Sequence, residues 1–215
     1  MNISELKVLP FPIYHGTSEI FLNDIRKYGL GYKSRQLFSF KLFLELSREL
    51  ERLGNGSDYY IGNKYILDCI QSDSGRFRYH GTYFTPSLNN ALGYASNSHG
   101  SEYISILFEM YSEVSRLAPG EVFKIMKPYP DVFECFQAKH QPIVIRWSDA
   151  PIKMLRVEND APEFGVRDQL ETMFERREKL RNTLSEEQIV DLIWAQDTFI
   201  TDHVISFDHL VIEKI

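Results

Sequence analysis

The spacing of apolar positions along the chain alternates between helical stripes and short extended runs. In SEIFLNDIRKYGL, Ile20, Phe21, Ile25 and Tyr28 recur at helical intervals; Thr17 or Ser18 can cap the start, and Gly29 or Gly31 supplies the stop. Leu6–Tyr14 precedes this helix as an extended segment whose Pro10 and Pro12 suit an edge or irregular strand, which puts His15 at a strand-to-helix junction. A second helical pattern runs from Arg35 to Leu53 and ends at Gly54-Asn55-Gly56. Asp58–Gln71 has weak periodicity and predicts a short helix; Ser72–Arg78 predicts a turn or loop.

Arg78–Thr85 then predicts a strand, closed by Pro86-Ser87, and SLNNALGYA a helix capped by Ser87. A stripe of Tyr103, Leu107, Tyr111, Val114 and Leu117 ends at Ala118-Pro119-Gly120. Further strands are expected at Val122–Met126, Pro142–Trp147 and Lys153–Glu158. Phe164-Gly165 leads into a charged helix with Val166, Leu170, Phe174 and Leu184 along one stripe, and Ser185…Gln188 is a capping box for a short helix through Trp194. Thr198–Ile215 holds two apolar runs around Ser206-Phe207-Asp208, the pattern of paired strands. Strands and helices do not alternate regularly, so the expected fold class is α+β rather than a doubly wound sheet.

A length of 215 residues suits one domain. The expected organisation is a single domain over 1–215, with a helical insertion at about 33–77 and a charged helical segment at about 163–194. Hydrophobic residues at 43% and charged residues at 25% exclude disorder of the whole chain. A net charge of −6 argues against a general grip on nucleic acid or anionic lipid, though it permits a local basic patch. The charged helix over Arg167–Arg181 mixes signs and reads as a solvated face. Two cysteines make neither a disulfide framework nor a Cys-based zinc site, and His15, His80, His99, His140, His203 and His209 show no i, i+4 spacing, so no metal is expected. The N-terminus lacks a cationic segment followed by an apolar run, and no stretch approaches the roughly 18 apolar residues of a membrane span. The expectation is a cytoplasmic protein, or an effector exported without a cleaved signal, with no membrane partner.

The patterns GxGxxG, HExxH and Gly-x-Ser-x-Gly are absent, as is a P-loop. Tyr-His-Gly-Thr occurs twice, at Tyr14–Thr17 and at Tyr79–Thr82, between different flanks. Two ordered segments draw attention. Tyr14-His15-Gly16-Thr17 leads through a helix to Gly29-Leu30, and Gly81-Thr82-Tyr83-Phe84-Thr85-Pro86-Ser87 leads into Asn90-Ala91-Leu92-Gly93-Tyr94-Ala95. Together they resemble the His and Tyr motifs of the ADP-ribosyltransferase superfamily. The branch is the His-Tyr-acid one, with poly-ADP-ribose polymerases, diphtheria-type toxins and rifampin ADP-ribosyltransferases. The match covers about a fifth of the chain. It implies a split β-sheet core and NAD as substrate, with His15 on the ribose, Gly16 on the nicotinamide amide, Thr17 and Ala91 lining the cofactor, and Tyr83 with Tyr94 stacked on the nicotinamide. His80 also precedes a Gly but lacks the following helix to Gly-Leu, so the motif is assigned to His15.

The residue types suit that chemistry. A flat pyridinium ring binds between aromatic faces, a glycine backbone can approach an amide closely, and an imidazole offers a donor or acceptor to a hydroxyl. Each alone also suits a plainer role: a turn histidine, ordinary strand aromatics, a core tyrosine on a helix. The third element departs from the family pattern. No Glu stands in Ala195-Gln196-Asp197-Thr198-Phe199-Ile200-Thr201; Asp197 is the nearest acid, and Gln196 or Thr198 are the alternatives. Ala91 also stands where a Ser often holds the nicotinamide amide.

The resemblance implies an NAD-dependent mono-ADP-ribosyltransferase, a glycosyltransferase that cleaves the nicotinamide N-glycosidic bond with Asp197 stabilising the developing charge. If water is the acceptor, the same site is an NAD glycohydrolase. A second expectation is an inactive NAD- or ADP-ribose-binding or partner-binding module on the same fold, in keeping with the missing Glu and with Ala91. A third, transfer to RNA, is lowered by the acidic total and the lack of Arg beside His15. Recognition of the acceptor (protein, nucleic acid or small molecule) lies in loops the motifs do not address, and the motifs do not separate a toxin from a housekeeping role.

Overall fold

The computed structural model describes residues 2–32, 40–71, 81–96, 101–158 and 164–213. In chain order the elements are β1 (Ile13–Ser18), α1 (Leu22–Tyr28), α2 (Phe40–Leu53), α3 (Asp58–Gln71), β2 (Thr82–Phe84), α4 (Leu88–Ala95), α5 (Glu102–Leu117), α6 (Pro119–Met126), α7 (Pro130–Gln137), β3 (Pro142–Trp147), β4 (Arg156–Val157), α8 (Val166–Leu180), β5 (Phe199–Thr201) and β6 (Val211–Glu213), with short 3₁₀ and π turns between them. The mixture is α+β, in two compact units: one of 1–32, 81–96 and 141–215, the other of 33–80 and 97–140. The insertion expected at 33–77 thus forms one of the two segments of the second unit. The loop expected at Ser72–Arg78 lies outside the described residues.

Alternation builds the first unit. Two three-stranded antiparallel sheets, β1-β3-β6 and β2-β5-β4, run side by side. They meet at the bridge Tyr14↔Thr85, where each backbone N–H donates to the other's carbonyl, at 2.8 and 2.9 Å. Successive side chains on a strand point to opposite faces. Ile13, Ile145, Trp147, Phe84 and Phe199 accordingly enter one apolar core with Leu170 and Met173 of α8 and Trp194, whose indole N–H donates to the Met173 carbonyl at 3.1 Å. The charged segment is held by its ends: the Asp168 carboxylate accepts the Gly165 N–H at 2.7 Å, and Ser185 with Gln188 closes the expected capping box. The turn it opens passes through a π turn at Ile189–Ile193 to Trp194–Gln196.

β1 runs on to Ser18, so His15 lies within the strand and the junction falls three residues later. Ser18 accepts the Ile20 N–H, and Gly29, at φ +92°, ends α1 in a conformation that favours glycine. Three strand expectations are corrected; in Lys153–Glu158 only Arg156–Val157 is a strand, after a 3₁₀ turn at Ile152–Met154. Val122–Met126 is helical: Pro119 and Glu121 suit a first turn, and Val122 and Met126, four apart, are buried while Phe123 between them is 72% exposed. The two runs in Thr198–Ile215 are strands, but they do not pair with each other. Ile205 bridges to Leu30 and a 3₁₀ turn at Phe207–His209 redirects the chain, so β5 joins β2 and β4 whereas β6 joins β3.

The second unit is helical. Leu42, Phe43, Leu46 and Leu50 of α2 and Ile104, Leu107, Met110 and Val114 of α5 are buried at helical spacing. The Tyr103 ring meets Phe43 edge-on at 4.5 Å. Ser57 caps α3 by accepting the Tyr60 N–H at 3.0 Å, and its hydroxyl donates to Glu113 at 2.8 Å.

Candidate functional site

The two motifs come together in the first unit. Nδ1 of His15 lies 2.9 Å from the Tyr83 carbonyl oxygen. A carbonyl only accepts, so Nδ1 carries the proton and donates, and Nε2 is left as the acceptor. Burial lowers the imidazole pKa, against the opposing pull of the Tyr83 carbonyl, so His15 is neutral at pH 7. The ring packs 5.7 Å from that of Phe84.

That bond occupies a group the ladder would otherwise use. Continued beyond Tyr14↔Thr85, the antiparallel register would pair Gly16 with Tyr83. The Tyr83 carbonyl instead takes the His15 ring, and β1 and β2 part. On β1 the N–H and C=O of alternate residues point to opposite sides: those of Tyr14 go to Thr85, those of His15 and Thr17 go to β3. The N–H and C=O of Gly16 therefore face the gap between the sheets, a donor and an acceptor side by side.

Gly16 has a second constraint. A Cβ there would lie 1.9 Å from the Ala91 carbonyl oxygen and 2.7 Å from the Ala95 nitrogen, so only glycine lets α4 seat on β1. Ala91 is fully buried in that seam with Ala95 and Val144, and its methyl lies in the strand–helix contact. Tyr94, one turn from Ala91, is 54% exposed. Thr17 is buried opposite Ile143. The start of α4 is fixed by polar ties: Ser87 and Asn89 donate to the Asp191 carboxylate at 2.7 and 2.6 Å, and the Asn90 amide donates to the Ala195 carbonyl at 2.8 Å.

Strand register also places the candidates for the third position. Phe84↔Phe199 and Tyr83↔Ile200 fix the faces of β5: Phe199 shares the core face, Ile200 the Tyr83 face. By the same alternation Asp197, next to β5, falls on the Phe199 side and Thr198 on the Tyr83 side. The Asp197 carboxylate there accepts two bonds from one nitrogen of Arg176 on α8, at 2.6 and 2.8 Å. Burial raises its pKa, against the pull of Arg176. Gln196 is exposed in the turn before β5. Asp197 thus ties α8 to the sheet on the face of Phe84, the ring against which His15 packs, and of the three sequence candidates Thr198 is the one on the strand face of Tyr83.

Sequence reasoning missed a second pair on that face. Arg156 of β4 lies opposite Ile200, in the same row as Tyr83, and donates to the Asp202 carboxylate from Nε at 3.0 Å and Nη2 at 3.2 Å. Only the strand register could have revealed it.

Among the described residues no group of His, Cys, Asp or Glu could hold a metal ion, and no helix is long and apolar enough to cross a membrane. Comparison with known proteins finds no matching family model, no matching curated protein and no matching solved structure.

Proposed function

We propose that the gap between β1 and β2 holds the nicotinamide end of NAD and that the chain transfers single ADP-ribose groups from it. The observation that carries this reading is the His15–Tyr83 carbonyl bond, which sets the His tautomer and leaves the Gly16 amide edge turned into the gap. Two sheets joined at one bridge fit the split core that the resemblance implies. Gly16 would donate its N–H to the carboxamide oxygen and accept from the amide nitrogen, Nε2 of His15 would accept from a ribose hydroxyl, and the Tyr83 ring would cover the nicotinamide. The C1′–N bond breaks, nicotinamide leaves as a neutral base with the electron pair, and the acceptor's nucleophile bonds to C1′ as its proton passes to solvent. With Asp197 held by Arg176, rate comes from positioning rather than from a carboxylate at the ribose.

A second reading, an NAD-binding module without turnover, draws on the same Arg176–Asp197 pair. Incubation with NAD followed by assay of free nicotinamide separates the two. The transferase reading expects release that His15→Ala and Tyr83→Ala abolish. Binding by calorimetry without release supports the module, and neither release nor binding would refute both.

A further inference from the structure

Beside Tyr83 the outer row of the β2-β5-β4 sheet carries a second polar feature. Tyr83, Ile200 and Arg156 are neighbours across three strands and so share one face. Tyr83 and Arg156 start two strand spacings apart, about 10 Å at the backbone, and Ile200 between them is 1% exposed. Asp202 above all, then Tyr83 and Glu158, lie close enough to Arg156 to raise its pKa. Gly81 makes room for this arrangement: a Cβ there would stand 2.2 Å from Ile200 Cγ2, 3.1 Å from Asp202 Oδ1 and 3.2 Å from Arg156 Nη2. Asp202 takes Nε and Nη2, which fixes the plane of the guanidinium, and the Arg156 side chain remains 44% exposed with Nη1 outside that pair.

We infer that Arg156, oriented by Asp202 over Gly81, recognises a phosphate group of the ligand that stacks on Tyr83. A planar fork whose direction is set beforehand loses little side-chain freedom when an anion arrives, and phosphate oxygens match its remaining N–H donors. Asp202 neutralises the charge of Arg156 and Glu158 adds a second carboxylate nearby, so recognition rests on donor geometry rather than on long-range attraction. In a dinucleotide the first phosphate stands one ribose from the nicotinamide, within the span from Tyr83 to Arg156. The phosphate has two sources, the cofactor's own pyrophosphate or a phosphate on the acceptor. This inference deepens the proposed NAD reading but does not stand on turnover.

The test compares wild type, Arg156→Gln and Arg156→Lys by calorimetry with four probes: ADP-ribose, nicotinamide, inorganic pyrophosphate, and inorganic phosphate added to protein saturated with ADP-ribose. If the cofactor supplies the phosphate, Arg156→Gln weakens ADP-ribose about tenfold and leaves nicotinamide unchanged, with Arg156→Lys between. If the acceptor supplies it, ADP-ribose affinity holds and the phosphate added to the saturated protein loses its site in Arg156→Gln. A purely structural ion pair would lower the melting temperature and move no probe selectively, which overturns the inference. So does wild-type protein that binds neither pyrophosphate nor phosphate. Pyrophosphate bound only when Arg156 is present, with no affinity for NAD or nicotinamide, would sink the NAD reading and leave this one standing.

Discussion

The tetrapeptide Tyr-His-Gly-Thr serves two structural ends. At its first occurrence Gly16 lies beneath the backbone of α4, and the missing Cβ would strike the Ala91 carbonyl oxygen and the Ala95 nitrogen. At its second, of which Gly81-Thr82 are described, Gly81 lies beneath the side chains of Ile200, Asp202 and Arg156. Identical letters thus make a helix seat in one place and a cradle for an ion pair in the other. Backbone cannot retreat without moving a whole element, whereas side-chain ends can rotate, so the two glycines differ in what they constrain.

The largest effect is expected at the first of them. Gly16→Ala should lower stability by about 3 kcal/mol through displacement of α4, read by chemical denaturation. A variant as stable as wild type would show that α4 does not seat as described. Next comes the buried acid. Asp197→Ala should cost about 2 kcal/mol, moderated because Arg176 can turn to water, while NAD affinity stays within twofold. If Asp197→Asn stops nicotinamide release yet melts like wild type, the carboxylate acts on the ribose after all. Gly81→Ala should cost slightly less, about 1.5 kcal/mol, because the buried Ile200 methyl must shift while the far ends of Arg156 and Asp202 can yield, and it should act mainly on ADP-ribose binding through Arg156. An equal loss of nicotinamide binding would erase the contrast between the two glycines.

The smallest effect is in pH. The folded-state pKa of His15 is depressed, so its contribution to stability is present above the unfolded value of about 6.5 and is lost as pH falls through the folded pKa. Between those values the unfolded chain binds a proton that the buried ring excludes. Melting curves from pH 7 to pH 5 should therefore fall more steeply for wild type than for His15→Gln. Parallel curves would place the ring in water.

The two Asp–Arg pairs that flank β5 sharpen the lesson. Asp197, just before the strand, lies on the core side with its side chain 12% exposed; Asp202, just after it, lies on the Tyr83 side at 57%. Five residues apart, they fall on opposite faces because five is an odd number of strand steps. The acid nearest the third motif position ties the sheet to α8, and the one that the sequence reading passed over shares the face of Tyr83.

Much of the fold was legible because it is local. The stripe of α5, the Ser87 cap of α4, the capping box at Ser185 and Gln188, and the strand at Pro142–Trp147 all depend on neighbours a few positions away. Val122–Met126 misled because a short apolar run fits a strand until the buried partners at Val122 and Met126 reveal a spacing of four. The partners of β5 and β6 were equally hidden, since an isolated three-residue strand carries no record of which edge it will meet.

What the chain determined alone is the α+β class, the stripes and caps of α2, α4, α5 and α8, and the ordered pair of motifs, all written in periodicity, caps and turn residues that act over one or two turns. Tertiary structure decided the rest: that the Tyr83 carbonyl goes to His15 instead of Gly16, that Asp197 faces Arg176, and that Arg156 joins Tyr83 across Ile200. Those outcomes depend on strand register and on competition between distant groups for one hydrogen-bond acceptor. Neither is encoded within the span of residues that a local pattern can reach.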